Sequence, residues 1–223
     1  MTNLALPASV EPAPAARNGA SIVSIRHLYR EQSDLLLDHL KRLDGEARRL
    51  RFGNSVNDPF LERYAALALG DDALVKGLFV DGVLRGVAEL RYLTGPRDEA
   101  EGAFSIEPAF QGHGFGDRLF GRLIAAARNR GVRRLFLTCL RENRRMQAIA
   151  AKHGADLSFV AGDVTAEIRR PHADAASIGR EWADESEAFV FAMIDWRRSG
   201  LAALTRPLQR LAESFSPSSL AGR

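Results

Sequence analysis

Cysteine is almost missing from this chain: Cys139 is the single one among 223 residues. A disulfide framework is thereby excluded, and the cytoplasm is the expected compartment. No run of about 18 apolar residues occurs, which excludes a membrane-spanning helix. Lysine is scarce too, confined to Lys41, Lys76 and Lys152, so the positive charge is almost all arginine. Bases exceed acids by only three. The sequence pI of about 9.4 would suit a nucleic-acid partner. Acids and bases nevertheless alternate along most of the chain, the pattern of an ordinary solvated surface, which argues against one. Residues 1–20 have neither a basic start nor a continuous apolar core, so they do not read as a secretory signal.

What is present suits a soluble globular fold. Hydrophobic residues make up 46% and charged residues 26%, enough apolar material to offset the entropy of ordering. Residues 1–20 are rich in Ala and Pro without a period and read as a flexible tail. Residues 21–170 carry the pattern of a mixed α/β domain. Residues 171–215 read as a helical extension, with Trp182 and Trp196 as packing residues, and residues 216–223 as a second tail. In the extension, Leu201, Leu204, Leu208, Leu211 and Phe215 fall three or four apart between arginines, a stripe suited to docking on the domain or on a second copy. A membrane-surface helix is the sharper alternative for that stripe.

Within the domain the periods alternate between two and about 3.6. Ser21–Arg26 alternates as a strand, and Glu31–Leu43 has helical spacing. Asp58-Pro59 opens a helix reaching about Leu69. Ala73–Val80 and Val83–Leu93 form strands joined by Asp81-Gly82, a hairpin signal, and Gly95-Pro96 punctuates the exit. Glu101–Glu107 is a strand stopped by Pro108, and Asp117–Arg130 an amphipathic helix. Val132–Leu140 reads as a strand buried on both faces, with Cys139 a small core residue. Asn143–His153 is a helix, and Ala155–Ala161 and Val164–Arg169 are the last strands.

The stretch from Phe104 to Gly116 concentrates the chemistry. A strand ends at Pro108, and Gln111-Gly112-His113-Gly114-Phe115-Gly116 then opens a helix. Glycines at alternate positions let the backbone approach a ligand, and the helix presents free N–H groups and its positive dipole end. Together they suit a phosphate or pyrophosphate. The dinucleotide fingerprint needs G-x-G-x-x-G after a first strand, and a nucleotide loop needs a G-K-[ST] ending; neither is here. On spacing alone, a glycine-rich tight turn stays open.

Gln111-x-x-Gly114-x-Gly116 before an amphipathic helix resembles the acyl-CoA signature of the GNAT superfamily of N-acetyltransferases. Ile106-Glu107-Pro108 resembles the strand-ending I-x-P before that motif. Glu142-Asn143, Met146, Ile149 and Lys152 to Ala155 resemble its E-N-x-x-M helix and exit. Arg42 to Phe52 resembles a segment of the bacterial branch that includes protein lysine acetyltransferases. The resemblance is collinear over roughly residues 21–170.

It implies an α/β fold with a mixed, mostly antiparallel sheet, flanked by helices and splayed between the fourth and fifth strands. It implies acetyl-CoA as co-substrate, without a metal, and an amine acceptor set against Asp44–Tyr64 and Glu89–Leu93. Backbone groups of Phe104, Ser105 and Ile106 would meet the pantetheine, and Gln111, Gly112, His113, Gly114, Phe115 and Gly116 the pyrophosphate. Asn143, with Met146 on the same helix, would reach the cofactor; Asn143 also fits a plain helix cap. His113 otherwise faces solvent.

Acyl transfer to an amine needs a base. Glu101 heads the strand, shares one face with Ala103, Ser105 and Glu107, and lies in Ala100-Glu101-Gly102-Ala103-Phe104-Ser105-Ile106, similar to the A-E-x-A-F-x-V string of catalytic relatives. Glu107 and Glu89 are weaker choices. The tyrosine that many members place seven residues after the helix asparagine is Ala150 here. A non-catalytic acyl-CoA-sensing module of the same fold is therefore the second reading, and a homo-oligomer through the C-terminal helices a possible assembly.

Overall fold

The computed structural model describes residues 21–93, 98–160, 162–169, 178–179, 181–183 and 186. The expectations for both tails, for Gly95-Pro96 and for the Leu201–Phe215 stripe lie outside these residues. Strand β1 (Val23–His27) is followed by helices α1 (Ser33–Arg42), α2 (Gly45–Phe52) and α3 (Asp58–Ala68). Then come β2 (Ala73–Val80), β3 (Val83–Tyr92), β4 (Glu99–Ile106), α4 (Phe115–Asn129), β5 (Arg134–Leu140), α5 (Arg144–Lys152), β6 (Asp156–Val160) and β7 (Asp163–Arg169).

The seven strands form one sheet in the order β1-β2-β3-β4-β5-β7-β6. Every neighbouring pair is antiparallel except β4 and β5, which run parallel. The β2–β3 hairpin turns at Asp81 (φ 50°) and Gly82 (φ 79°), both left-handed, as its two-residue loop requires. The sheet carries a core on each face. Leu119, Phe120 and Leu123 of α4 bury against Leu78, Ala88 and Leu90 on one side. Leu36 and Leu40 of α1 and Leu61 and Ala65 of α3 bury against Val75, Phe79 and Val87 on the other.

Helix α2 is the element the periodicity does not show. It buries none of its residues, so it has no apolar stripe to read. Its signals are local: Asp44 caps it by accepting from the Ala47 N–H, and Gly53 ends it at φ 78°. Strand β5 differs from expectation as well. Leu135, Leu137 and Cys139 are buried, whereas Thr138 on the other face is exposed. That face borders a cleft rather than a second core. Trp182 is 74% exposed, so it is not the packing residue its size suggests.

Candidate active site

The β4–β5 ladder holds only three residue pairs, ending at Glu101 opposite Phe136. Both strands run on, β4 to Ile106 and β5 to Leu140, without pairing. The hydrogen-bond phase of β4 tells which of its groups face the gap. Glu107 donates its N–H to Arg85 and Leu93 donates to Glu99, so the odd residues of β4 pair with β3. Asp98, an even position, accepts from Arg133 and Arg134 on the β5 side. The main chains of Phe104 and Ile106 therefore face the gap, while that of Ser105 pairs with Val87. Ser105 thus leaves the set of backbone groups expected at the gap, because neighbouring residues of a strand hydrogen-bond to opposite sides.

The loop beyond β4 leads to a helix end left open. Helices α2, α3 and α5 are capped by Asp44, Asn57 and Asn143; α4 starts at Gly114, which has no side chain to cap with. The first intrahelical bond runs from Arg118 to Gly114, so the N–H groups of Phe115, Gly116 and Asp117 precede the ladder. Gly112 (φ 81°) and Gly114 (φ 76°) are both left-handed, the conformation that needs glycine. Gly116 is different. It is helical, and a Cβ there would lie 3.0 Å from Ile149 Cδ1, so its smallness serves helix packing.

Gln111 straps the loop from both ends: its Nε2 donates to the Ile106 carbonyl at 2.9 Å, and its Oε1 accepts from Arg145. Asp117 is bound by Lys152 at 2.8 Å and His153 at 2.9 Å, which offsets an acid in the first turn. The Lys152 hydrogen bond holds its carboxyl below the usual range. His113 is exposed and stacks on Phe115. Asn143 Oδ1 caps α5 by accepting from Met146 N–H at 3.1 Å, and Met146 packs against the α4-side core.

A cleft of about 410 Å³ opens where the strands part. Its walls include Glu101–Ala103 of β4, Thr138–Leu140 of β5, Leu50–Gly53 of α2, Tyr64, Glu89, Arg91 and Asp163. Glu101 lies at the last pair before the gap, exposed and opposite Arg91 in the ladder.

The two other carboxylates considered as bases are both committed. Glu89 is 1% exposed; Arg51 Nη2 donates to one oxygen at 2.7 Å and the Tyr64 hydroxyl to the other at 2.5 Å. Glu107 is held by Arg42 Nε at 2.8 Å, Arg85 Nη1 at 2.8 Å and His39 Nδ1 at 3.3 Å. Burial pushes the Glu107 carboxyl up, but these hydrogen bonds outweigh it and hold it at about 2. A carboxylate so tightly ion-paired is a poor proton acceptor.

Ala150 is 1% exposed and packed in the α4-side core, so no hydroxyl stands in the usual tyrosine's place. Tyr64 brings a phenol to the cleft, but burial and the Glu89 charge push it up to about 12, and its proton is directed at Glu89. Burial also raises the Cys139 thiol, which keeps it protonated although it reaches the cleft wall. Arg49 of α2 reaches across to Glu142 at 2.7 Å, joining α2 to the entrance of α5. His39, Arg51 and Tyr64 escape a reading of the sequence because their carboxylate partners lie 25 to 68 positions away. Among the described residues no three His, Cys, Asp or Glu side chains gather as a metal site, and no helix is long and apolar enough to cross a membrane.

Residues 37–155 match the family described as acetyltransferase (GNAT) family, over half of the chain. The chain belongs to that family of acetyltransferases. Among solved structures, it is similar to the GNAT domain of a protein named PAT from S. lividans: 24% identity, 66% of this chain, 89% of the other, TM-score 0.58. A putative acetyltransferase from Salmonella typhimurium, solved with acetyl-CoA, shares 21% identity, covering 69% of this chain and 98% of its own, with TM-score 0.53. An N-acetyltransferase from Thermoplasma acidophilum, solved with coenzyme A, shares 18% identity over 67% and 99%, TM-score 0.51. At these identities the likeness is one of fold, and the fold is the GNAT-like mixed sheet flanked by helices.

Proposed function

We propose that the protein transfers an acetyl group from acetyl-CoA to a primary amine by direct attack, with Glu101 as general base. The observation that carries this is the parting of β4 from β5 at Glu101, with the free edge of β4 leading into the uncapped start of α4. The donor set fits an acyl-CoA. Phe104 and Ile106 offer main-chain groups along the gap, and Gln111 to Gly116 give a loop with backbone N–H groups suited to a pyrophosphate. Neighbouring folds solved with acetyl-CoA or coenzyme A support the same choice.

When bound, acetyl-CoA supplies an activated acetyl thioester. The chain's residues do the rest. Glu101, as a carboxylate at the cleft, takes the proton that an ammonium must lose before its nitrogen can attack. A main-chain N–H of the free β4 edge donates to the thioester oxygen as charge develops there. The new C–N bond forms as the C–S bond breaks, and the second proton of the attacking nitrogen passes to water, leaving a neutral amide. The sulfur leaves as a thiolate, and because thiols are far more acidic than alcohols (pKa about 8.5 for a cysteine side chain) this is tolerable near neutrality without the usual tyrosine. Leu50 to Gly53 and Tyr64 form the wall an acceptor would meet.

Free-thiol release from acetyl-CoA with a panel of amines and lysine peptides tests this reading. Amine-dependent release is the expected result. Tight acetyl-CoA binding without release to any amine would favour the non-catalytic sensor, the reading that buried Ala150 keeps in play.

A further inference from the structure

Beyond Glu101, β4 is supported along one edge only, by β3. A strand that must hold a ligand on its open edge needs another support, because a displacement near 1 Å weakens several hydrogen bonds together. The side chains alternate to supply it. Ser105 and Glu107 turn toward α1, away from α4. His39 of α1, 0% exposed, stands between them, its Nε2 2.9 Å from Ser105 Oγ and its Nδ1 3.3 Å from Glu107 Oε1. An ionised carboxylate can only accept, so in the neutral imidazole Nδ1 donates to Glu107 and Nε2 accepts the serine proton. Arg42 and Arg85 complete Glu107, and Arg42 Nη2 also donates to the Leu84 carbonyl at 2.8 Å.

The proposed transfer uses none of these groups. Ser105 and His39 do not line the cleft, and Glu107 is fully paired. Stability alone is a weak reason for them, since well-packed apolar residues often replace a buried ionic network at no loss. Fixed geometry is what apolar packing supplies less well. Ser105 lies directly between Phe104 and Ile106, the two residues whose main chains face the gap.

We propose that His39 and Glu107 are positioning residues that lock the open edge of β4 in the geometry that receives acyl-CoA. This rests on the acyl-CoA reading above. The test is calorimetric affinity for acetyl-CoA, with KM and kcat, on His39→Leu, His39→Gln and Ser105→Ala. Circular dichroism fixes a temperature at which each variant is folded. His39→Leu keeps the packing and removes the bridge, so Kd and KM for acetyl-CoA should rise about fivefold or more, with kcat at saturation much less affected. His39→Gln can donate to Glu107 and accept from Ser105, and should recover most of the affinity. Ser105→Ala cuts only the tie to the strand and should raise Kd in the same direction.

A folded His39→Leu that binds as wild type overturns the proposal, even if its melting temperature falls. Should His39→Leu not fold, Ser105→Ala decides by the same criterion. If the wild type itself fails to bind acetyl-CoA, the acyl-CoA reading falls and this inference with it. If the wild type binds and the variants match it, only this inference falls.

Discussion

Glu101 is one carboxylate at the last paired position before two strands part, and its role has a sharp test. Glu101→Gln keeps size and shape but cannot accept a proton. Turnover should fall 10²- to 10⁴-fold with acetyl-CoA affinity nearly unchanged. The deficit should shrink at high pH, where more of the amine is already neutral. Wild-type turnover of the variant at pH 7 would remove Glu101 from the mechanism. The loop glycines divide by their geometry. Gly114→Val forces a left-handed cap on a β-branched residue and should weaken acetyl-CoA binding tenfold or more, read by calorimetry. Gly116→Val instead drives a side chain into Ile149, so its main effect should be a lower melting temperature, by the mechanism of overpacking.

Among the elements, α2 forms one wall of the cleft and is the one the hydrophobic pattern conceals. It lies over the cleft with no buried residue, held by Asp44 at its start and by Arg48, Arg49 and Arg51 through polar contacts. The hydrogen bonds that Arg49 donates to Glu46 and Glu142 raise its already high pKa, so this tie persists across the working pH range. Asp44→Ala should cost about 1 kcal/mol of stability. Because α2 forms a cleft wall, the same change should raise KM for the amine more than KM for acetyl-CoA, measured by steady-state kinetics. Equal effects on both would show that α2 does not border the acceptor. The helices α1, α3 and α4 were legible because each buries a 3.6-residue stripe.

For the whole molecule, the buried His39–Glu107 network couples the fold to pH. Burial depresses the His39 imidazole below its ordinary value of 6.5, against the opposing pull of Glu107. Its contribution is therefore complete above pH 6.5 and declines as pH falls below it. Glu107, at about 2 against an ordinary 4.5, contributes fully above pH 4.5 and loses that contribution down to about pH 2, on the order of 3 kcal/mol. Both signs agree, so the melting temperature should drop from pH 6.5 downward, steepening below 4.5. A melting temperature that rises between pH 6.5 and 5 would contradict this. The C-terminal extension belongs to this scale too. Deleting residues 199–223 should leave acetyl-CoA affinity near normal and alter the oligomeric state seen by light scattering.

The sequence by itself determined the elements that bury a periodic face, the hairpin at Asp81-Gly82, and the glycine loop opening α4. Each depends on neighbours a few positions apart, and such neighbours are adjacent in the chain as in space. Tertiary structure decided which partners those elements meet. It put Ser105 on the β3 side of its strand, exposed one face of β5 to a cleft, and gave Gly116 a packing role. It also paired Glu89 with Arg51 and Tyr64, and Glu107 with His39, Arg42 and Arg85, which left Glu101 as the one of the three candidate bases not held by such a buried network. Those choices depend on charges and hydrogen bonds between residues tens of positions apart, whose meeting no local pattern records.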